Sequence, residues 1–419
     1  MNISLSDKHA RRNFTYMWLG QFISQFGSQI TAIVLIFWLK EQVGLASVMG
    51  LSAMLFSLFI AIFSPLGGAL ADIYSRKTII ISSDLLAGTA SILLPLAFYF
   101  FPDKLYLLIT LVLLMQLVLG ATLGLYDPAY SALLSNVVAK EQLPLANSIK
   151  NATIQGAMLM GQGIGLLLYG QFGIIPILIA NSLSFYFSAL SESRIKLPLQ
   201  EAKPAKAINS LSDSKKIIAG MKQGLVYISE KKSLKSLLLL IGGVNFFIGP
   251  FVILLPFYIE QTLSVPDYWY GYLIAAFGGG GLIGYLSLPF FKSKVQDWST
   301  LGRNSYLFFG FLLITLGVSK NIYLSLILFI ACGCCFGLIN TMIETAILTN
   351  TPDNKRGRVM SIYRVITRLS LPLGMVISGG LVDFYHLNIE IIFIACGIAV
   401  LILSIQQFNQ QKLKEVLAL

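Results

Sequence analysis

Twelve apolar runs, each long enough to cross a bilayer, recur along this 419-residue chain and leave little room for any other architecture. They fall near 16–39, 46–71, 78–100, 104–132, 147–170 and 172–190, and again near 234–259, 269–291, 302–318, 322–350, 359–382 and 389–408. A helix needs about 20 apolar residues to span roughly 30 Å of hydrocarbon. In lipid a chain must satisfy its own backbone polar groups, which runs of this length do as helices. The expected fold class is therefore an all-α membrane protein with 12 transmembrane helices in two six-helix bundles. The segment between the bundles is polar and lysine-rich, with "EAKPAKAINSLSDSKK" at its centre and a surface helix expected around "KKIIAGMKQGLVYI". The expected divisions are an N-terminal bundle over 1–190, a linker over 191–233 and a C-terminal bundle over 234–419.

Composition closes off the soluble alternatives. Charged residues make up 12% of the chain and mean hydropathy is +0.77, against roughly 25% charged residues in soluble domains. A net charge of +11 would suit a nucleic-acid binder, but the bases gather in the short segments between apolar runs, where topology accounts for them. With both termini inside, the outer loops hold only Lys40, Lys104 and Lys320 among the 30 basic residues. This predicts a multi-pass protein of the cytoplasmic membrane with cytoplasmic N and C termini, and no nucleic-acid partner. The basic start "MNISLSDKHARRNF" precedes a full-length apolar run with no small-residue cleavage site after it, so a retained first helix is expected rather than a signal peptide.

No enzymatic or metal chemistry is legible. Both histidines, His9 and His386, lie outside the apolar runs, and no Ser-His, Cys-His or paired-carboxylate constellation appears. Cys332, Cys334 and Cys335 sit in "CGCC" inside an apolar run with no histidine nearby, so they read as small packing residues rather than metal ligands. The run "AAFGGGGLIG" lacks a phosphate-loop lysine and lies mid-membrane, where glycines let helices approach closely. No catalytic residue, metal or cofactor is expected, and the absence of a Walker motif argues against ATP as an energy source unless a partner supplies it.

An internal repeat underlies the six-plus-six count. A shift of 213 residues lays "GATLGL" (Gly120 to Leu125) on "GCCFGL" (Gly333 to Leu338), Asn147–Ile149 on Met360–Ile362, and Gly161 on Gly374, without a gap. Two homologous, pseudo-symmetric halves explain both the matching glycines and the matching loop length.

Three stretches carry a family resemblance. "GGALADIYSRKTIIISSDL" holds Gly68, Leu70, Ala71, Asp72, Arg76 and Lys77 in the pattern of the loop between helices 2 and 3 of the major facilitator superfamily. "YDPAYSALLSNVVAKEQLPLANSI" and "GRVMSIYRVITRLSLPLGMVISGGLVD" resemble the macrolide-efflux-like exporter branch, which also includes siderophore exporters. Tyr74-Ser75 and Ile73 depart from the loop pattern, its second-half counterpart "PFFKSKVQDWSTLGR" has lost it, and helix 5 lacks the glycine-proline pair of the antiporter motif. The resemblance implies the major facilitator fold and a cytoplasmic gate made by Gly68, Asp72, Arg76, Lys77 and Asp127. In that gate Asp72 faces the positive N-terminal end of helix 11, Arg76 pairs with Asp127, and Gly67 and Gly68 permit a tight helix 2–3 hairpin.

Polar groups inside spanning helices are costly and so are candidates for function. Gln21, Gln25 and Gln29 share one face of helix 1, either lining the central cavity that the family builds from helices 1, 4, 7 and 10 or bonding between helices. Asn340 and Glu344 lie four apart on helix 10, and Arg364 and Arg368 lie four apart on helix 11. That cluster, one acid and two bases, nominates Arg368 as the contact for an anionic substrate and a buried Glu344 as the proton carrier. A static ion pair is the alternative. Asp84 on helix 3 is read as structural. Together these features predict a secondary active transporter that moves a small organic solute by alternating access. A proton-coupled exporter of macrolide-like drugs or a siderophore is favoured. An importer of an anionic metabolite or ferric siderophore, and a non-transporting membrane sensor, are the alternatives. The expected partners are a small molecule, with anions among the candidates, and the lipid bilayer, and the expected state is a monomer.

Overall fold

The structure, a computed structural model, describes residues 8–196, 225–292 and 298–408. Among the described residues the chain forms twelve helices of 20 residues or more. They are α1 (Lys8–Val43), α2 (Ala46–Ile73), α3 (Arg76–Phe100), α4 (Leu105–Val137), α5 (Leu143–Phe172) and α6 (Ile174–Ser193), then α7 (Lys232–Phe257), α8 (Trp269–Lys292), α9 (Trp298–Val318), α10 (Ile322–Thr349), α11 (Asp353–Tyr385) and α12 (Ile389–Phe408). Ten of them are long and apolar enough to cross a membrane. Helix α5 falls short of that threshold because Gln155, Gln162 and Gln171, with five glycines, dilute its apolar residues. The expected surface helix around 215–228 lies outside the described residues as far as position 224, and residues 225–230 are helical.

Connections are short where glycine permits it. Gly44, at φ 66°, turns α1 into α2, and Gly173, at φ 71°, is the single residue between α5 and α6. Both occupy the left-handed region that costs other residues steric strain. Prolines lie inside helices at Pro65, Pro95, Pro128, Pro250, Pro256 and Pro372, among others, which neighbouring helices in a membrane bundle accommodate. Helix α7 closes with a widened π turn at Tyr258–Thr262. The Tyr258 hydroxyl donates to the carbonyls at the end of α9, 2.9 Å to Leu316 and 2.8 Å to Ser319.

The chain divides into two compact units. The first comprises Met1–Val43 and Leu55–Ser210, and the second comprises Gly44–Met54 and Leu211–Leu419. The first turns of α2 thus group with the second unit. There the Asp383 carboxylate near the end of α11 accepts from the backbone N–H groups of Ala46 (3.1 Å) and Ser47 (2.7 Å). This satisfies two of the donors that any helix start leaves open.

Helix pairing repeats between the units. In the first, α1 packs on α5 and α6, and α3 on α4 and α6; in the second, α7 packs on α11 and α12, and α9 on α10 and α12. The glycines show the repeat at atomic resolution. Gly120 of α4 is pressed against the Phe56 carbonyl of α2, and Gly124 against Ile60 and Phe63. Their equivalents Gly333 and Gly337 on α10 are pressed against the carbonyls of Phe277 and Gly281 on α8. Gly161 of α5 meets Phe26 and Gln29 of α1, as Gly374 of α11 meets Phe246 of α7. The 213-residue shift therefore maps contacts onto contacts. The run of glycines in α8 packs against the "CGCC" segment of α10, with Gly280 on Ile330 and Gly284 on Cys334.

Candidate functional site

Helix α2 ends and α3 begins within the glycine-aspartate-basic stretch. Ser75 precedes α3 as its N-cap residue, so Arg76 and Lys77 fall in its first turn and reach neighbouring helix ends. The Arg76 guanidinium donates to the carbonyls of Ala71 (3.3 Å), near the end of α2, and Ala132 (3.1 Å), in the last turns of α4. Lys77 Nζ donates to the carbonyls of Ser193 (2.7 Å) and Ile195 (2.8 Å) at the end of α6. Helix ends carry unpaired carbonyls and partial negative charge, and a cation there satisfies both. The pair of bases thus ties the ends of three helices of the first unit. The expected Arg76–Asp127 pairing is corrected: Arg76 reaches main-chain carbonyls instead. Asp72 is exposed and makes no hydrogen bond or ion pair among the described residues. The close approach expected of the glycine pair belongs to Gly67 alone, which meets Gly124 and Leu125 of α4, while Gly68 has open space around it.

Asp127 finds a different cation. Lys150, about two turns into α5, places Nζ 3.3 Å from Asp127 Oδ1 and 3.0 Å from Ser131 Oγ. Its side chain is 10% exposed and that of Asp127 is 34% exposed. Lys150 Nζ also sits 5.1 Å above the ring of Tyr130, a geometry in which the ring quadrupole favours the cation. Tyr130 stacks on Tyr126, with centroids 5.5 Å apart. The Tyr126 hydroxyl donates to Glu192 Oε1 at 2.6 Å, linking α4 to the last turn of α6. Glu192 is fully buried and Asp84 of α3 is 5% exposed; the two acids act on each other electrostatically. Among the described residues Glu192 Oε2 and Asp84 Oδ2 are buried without a hydrogen-bond partner, and the buried hydroxyl of Ser188, one turn earlier on α6, lies beside the Asp84 carboxyl.

Lys150 and Glu192 escape the sequence reading for identifiable reasons. Lys150 sits near the expected start of helix 5, where a base reads as interfacial, but α5 begins at Leu143 and carries it into the bundle. Glu192 lies two residues past the expected end of helix 6, whereas α6 runs to Ser193 and buries it. A "SES" end to an apolar run with a basic segment behind it was the available signal.

The glutamine stripe divides. Gln162 of α5 donates to Gln29 Oε1 at 3.1 Å, an interhelical bond. Gln21 is 2% exposed with Oε1 unpartnered, and Gln25 is half-buried. One helical turn before Gln21, Trp18 Nε1 donates to Thr153 of α5 at 2.8 Å.

In the second unit, Glu344 of α10 and Arg364 of α11 both act electrostatically on the Tyr363 hydroxyl, as does Tyr285 of α8. Glu344, Arg364 and Arg368 are exposed side chains, and no ion pair joins Glu344 to Arg364 among the described residues. The expected burial of Glu344 is therefore corrected. Asn340, half-buried, turns its amide back to the Phe336 carbonyl of its own helix at 2.8 Å. No group of three or more metal-ligating side chains occurs among the described residues.

The chain can now be set beside known proteins. Residues 8–418 match the family described as transmembrane secretion effectors, which lies within the major facilitator superfamily. The sequence is 25% identical over 386 residues to macrolide efflux protein A of Streptococcus pyogenes, covering 90% of each chain. It is 24% identical over 406 residues to the multidrug efflux pump Tap of Mycolicibacterium fortuitum, covering 93% of each. Its fold resembles that of a bacterial homologue of the iron transporter ferroportin, with a TM-score of 0.74 at 16% identity over 96% of this chain and 99% of that one. A bacterial homologue of the lysosomal transporter Spinster gives a TM-score of 0.69 at 14% identity over 96% and 97%. These proteins are transporters rather than enzymes, and this multi-pass membrane protein belongs to the transmembrane secretion effector family of the major facilitator superfamily.

Proposed function

We propose that the protein is a proton-coupled exporter of small organic solutes that works by alternating access in the cytoplasmic membrane, with both termini in the cytoplasm. The observation that carries this reading is the set of ionisable side chains inside the helical bundle: Lys150 with Asp127, and Asp84 with Glu192. Charges so placed cost several kcal/mol unless they are used or paired, and a transporter that moves protons against a solute has a use for them. The efflux relatives support export over import, and macrolide-like solutes head the list of substrates. In this reading Asp72, exposed at the end of α2, belongs to the cytoplasmic gate with Gly68, Arg76, Lys77 and Asp127. Arg364 and Arg368 on α11 favour an anionic solute such as a siderophore as the second candidate.

The test is efflux from cells that express the chain and lack their major endogenous pumps. Expression should lower the steady-state accumulation of a labelled macrolide, and a protonophore should restore it. Equal accumulation with and without expression, across a macrolide, a cationic dye and a catecholate siderophore, overturns the export reading. An Arg368→Lys variant should lose catecholate efflux more than dye efflux. Equal losses would make that arginine structural.

A further inference from the structure

We propose that Asp84 and Glu192 together form a proton-binding site inside the first unit, holding one exchangeable proton between them. This deepens the proton-coupled reading given above and rests on it for its role in transport. The geometry stands by itself. The two carboxylates come from α3 and α6, neighbouring helices of one bundle, and both are buried. Two carboxylates that feel each other in a water-poor interior cannot both ionise cheaply, so one proton stays with the pair.

Among the described residues, the lysines of the neighbouring helices α3 and α5 have other partners. On α4, Tyr126 donates its hydroxyl proton to Glu192 Oε1, and Tyr130 stacks behind it. Lys77 on α3 is committed to the carbonyls of Ser193 and Ile195. Lys150 on α5 is committed to Asp127 and Ser131. Helix α1 contributes Gly20, whose missing side chain makes room for Ser188, and the Tyr16 carbonyl, which accepts from Ser191 at 2.9 Å. Tyr126 thus fills one oxygen of Glu192 as a donor and leaves Oε2 as its open position, as Oδ2 is for Asp84.

The Ser188 hydroxyl is the neighbour that can respond to the proton of Asp84. It is fully buried and lies beside the Asp84 carboxyl, within reach to donate to it. Unsatisfied buried polar atoms are rare in folded proteins, and the open carboxyl oxygens Glu192 Oε2 and Asp84 Oδ2 are where a shared proton can be held. On releasing its proton to water, the carboxylic acid becomes a carboxylate that Ser188 can stabilise by donating to it. The aromatic pair Tyr126–Tyr130 leads from this site towards Lys150 and the half-exposed Asp127, where a released proton reaches solvent.

The experiment uses the full-length protein in lipid nanodiscs and reads the protonated-carboxyl stretch by infrared difference spectroscopy from acidic to alkaline pH. The wild type should show a buried-carboxyl band that titrates, and the band should vanish in the Asp84→Asn/Glu192→Gln double variant. Tyr126→Phe, which keeps both acids, should shift the frequency of the band without removing it. A band that persists in the double variant, no titrating band in the wild type, or a response to sodium in place of pH each overturns the site. In proteoliposomes with an imposed pH gradient, the accumulation ratio of a cationic dye should fall to unity in the double variant while downhill dye flux persists. Gradient-driven accumulation in the double variant also overturns the proposal. If the wild type moves no dye at all, the export reading fails for that probe, and the infrared titration still decides the site.

Discussion

Arg76 and Asp72 stand four residues apart and have opposite consequences for stability. Arg76 donates to main-chain carbonyls of two helices, and hydrogen bonds from charged donors contribute about 1.5–3 kcal/mol. Arg76→Ala should therefore lower the thermal midpoint of the purified protein measurably, and Arg76→Lys should recover part of it. Asp72 is exposed and makes no hydrogen bond among the described residues, so Asp72→Asn should change stability by less than about 0.5 kcal/mol. Its effect, if it gates, appears in transport alone. A thermal-shift series on the three variants checks the contrast, and a midpoint for Asp72→Asn as low as that for Arg76→Ala would contradict it. Asp127→Asn leaves Lys150 buried beside a weaker partner and should destabilise by about 1–3 kcal/mol. Residue types and spacing pointed to the acids and bases of this loop but misassigned their partners. The carbonyls that Arg76 and Lys77 reach can belong to any amino acid and leave no mark in sequence. Conversely, Lys150 and Glu192 became legible only once the helix ends were known, because a shift of a few residues decides whether a charge is interfacial or buried.

Glycine contacts set how closely the helices lie. A Cβ at Gly120 would strike the Phe56 carbonyl and one at Gly333 the Phe277 carbonyl. Gly120→Val and Gly333→Val should each cost at least the roughly 1–3 kcal/mol of core overpacking, read as loss of the monodisperse peak in detergent. Gly68→Ala, with nothing around it, should leave that peak unchanged. The start of α2 depends on one carboxylate of α11. Removing a helix-start acceptor costs about 1 kcal/mol, so Asp383→Ala should speed hydrogen exchange at Ala46 and Ser47 more than elsewhere. Elements were the most legible level of the structure. Ten of the twelve apolar runs begin within five residues of their helices, because hydrocarbon thickness constrains length and the lipid constrains composition. The internal shift of 213 residues even anticipated which glycines meet equivalent carbonyls. The cap from Asp383 was not foreseen, since an acid near a helix end says nothing of which other helix starts beside it.

At the scale of the whole molecule, two six-helix units with buried charge in the first and exposed arginines in the second suit a machine that moves a solute against a proton. Topology is the first consequence. Cysteines introduced at Lys215 and Lys412 should react with an impermeant reagent only when the cytoplasmic face is open to it, and labelling of Lys215→Cys in intact cells would reverse the assigned orientation. Coupling is the second, and its sign can be read directly. Purified protein is reconstituted into liposomes enclosing a pH-sensitive dye, and a macrolide is added outside. An antiporter that carries the macrolide inward must carry protons outward, so the account predicts lumenal alkalinisation that requires both the protein and the macrolide. Macrolide entry with an unchanged lumenal pH, or with acidification, would contradict it.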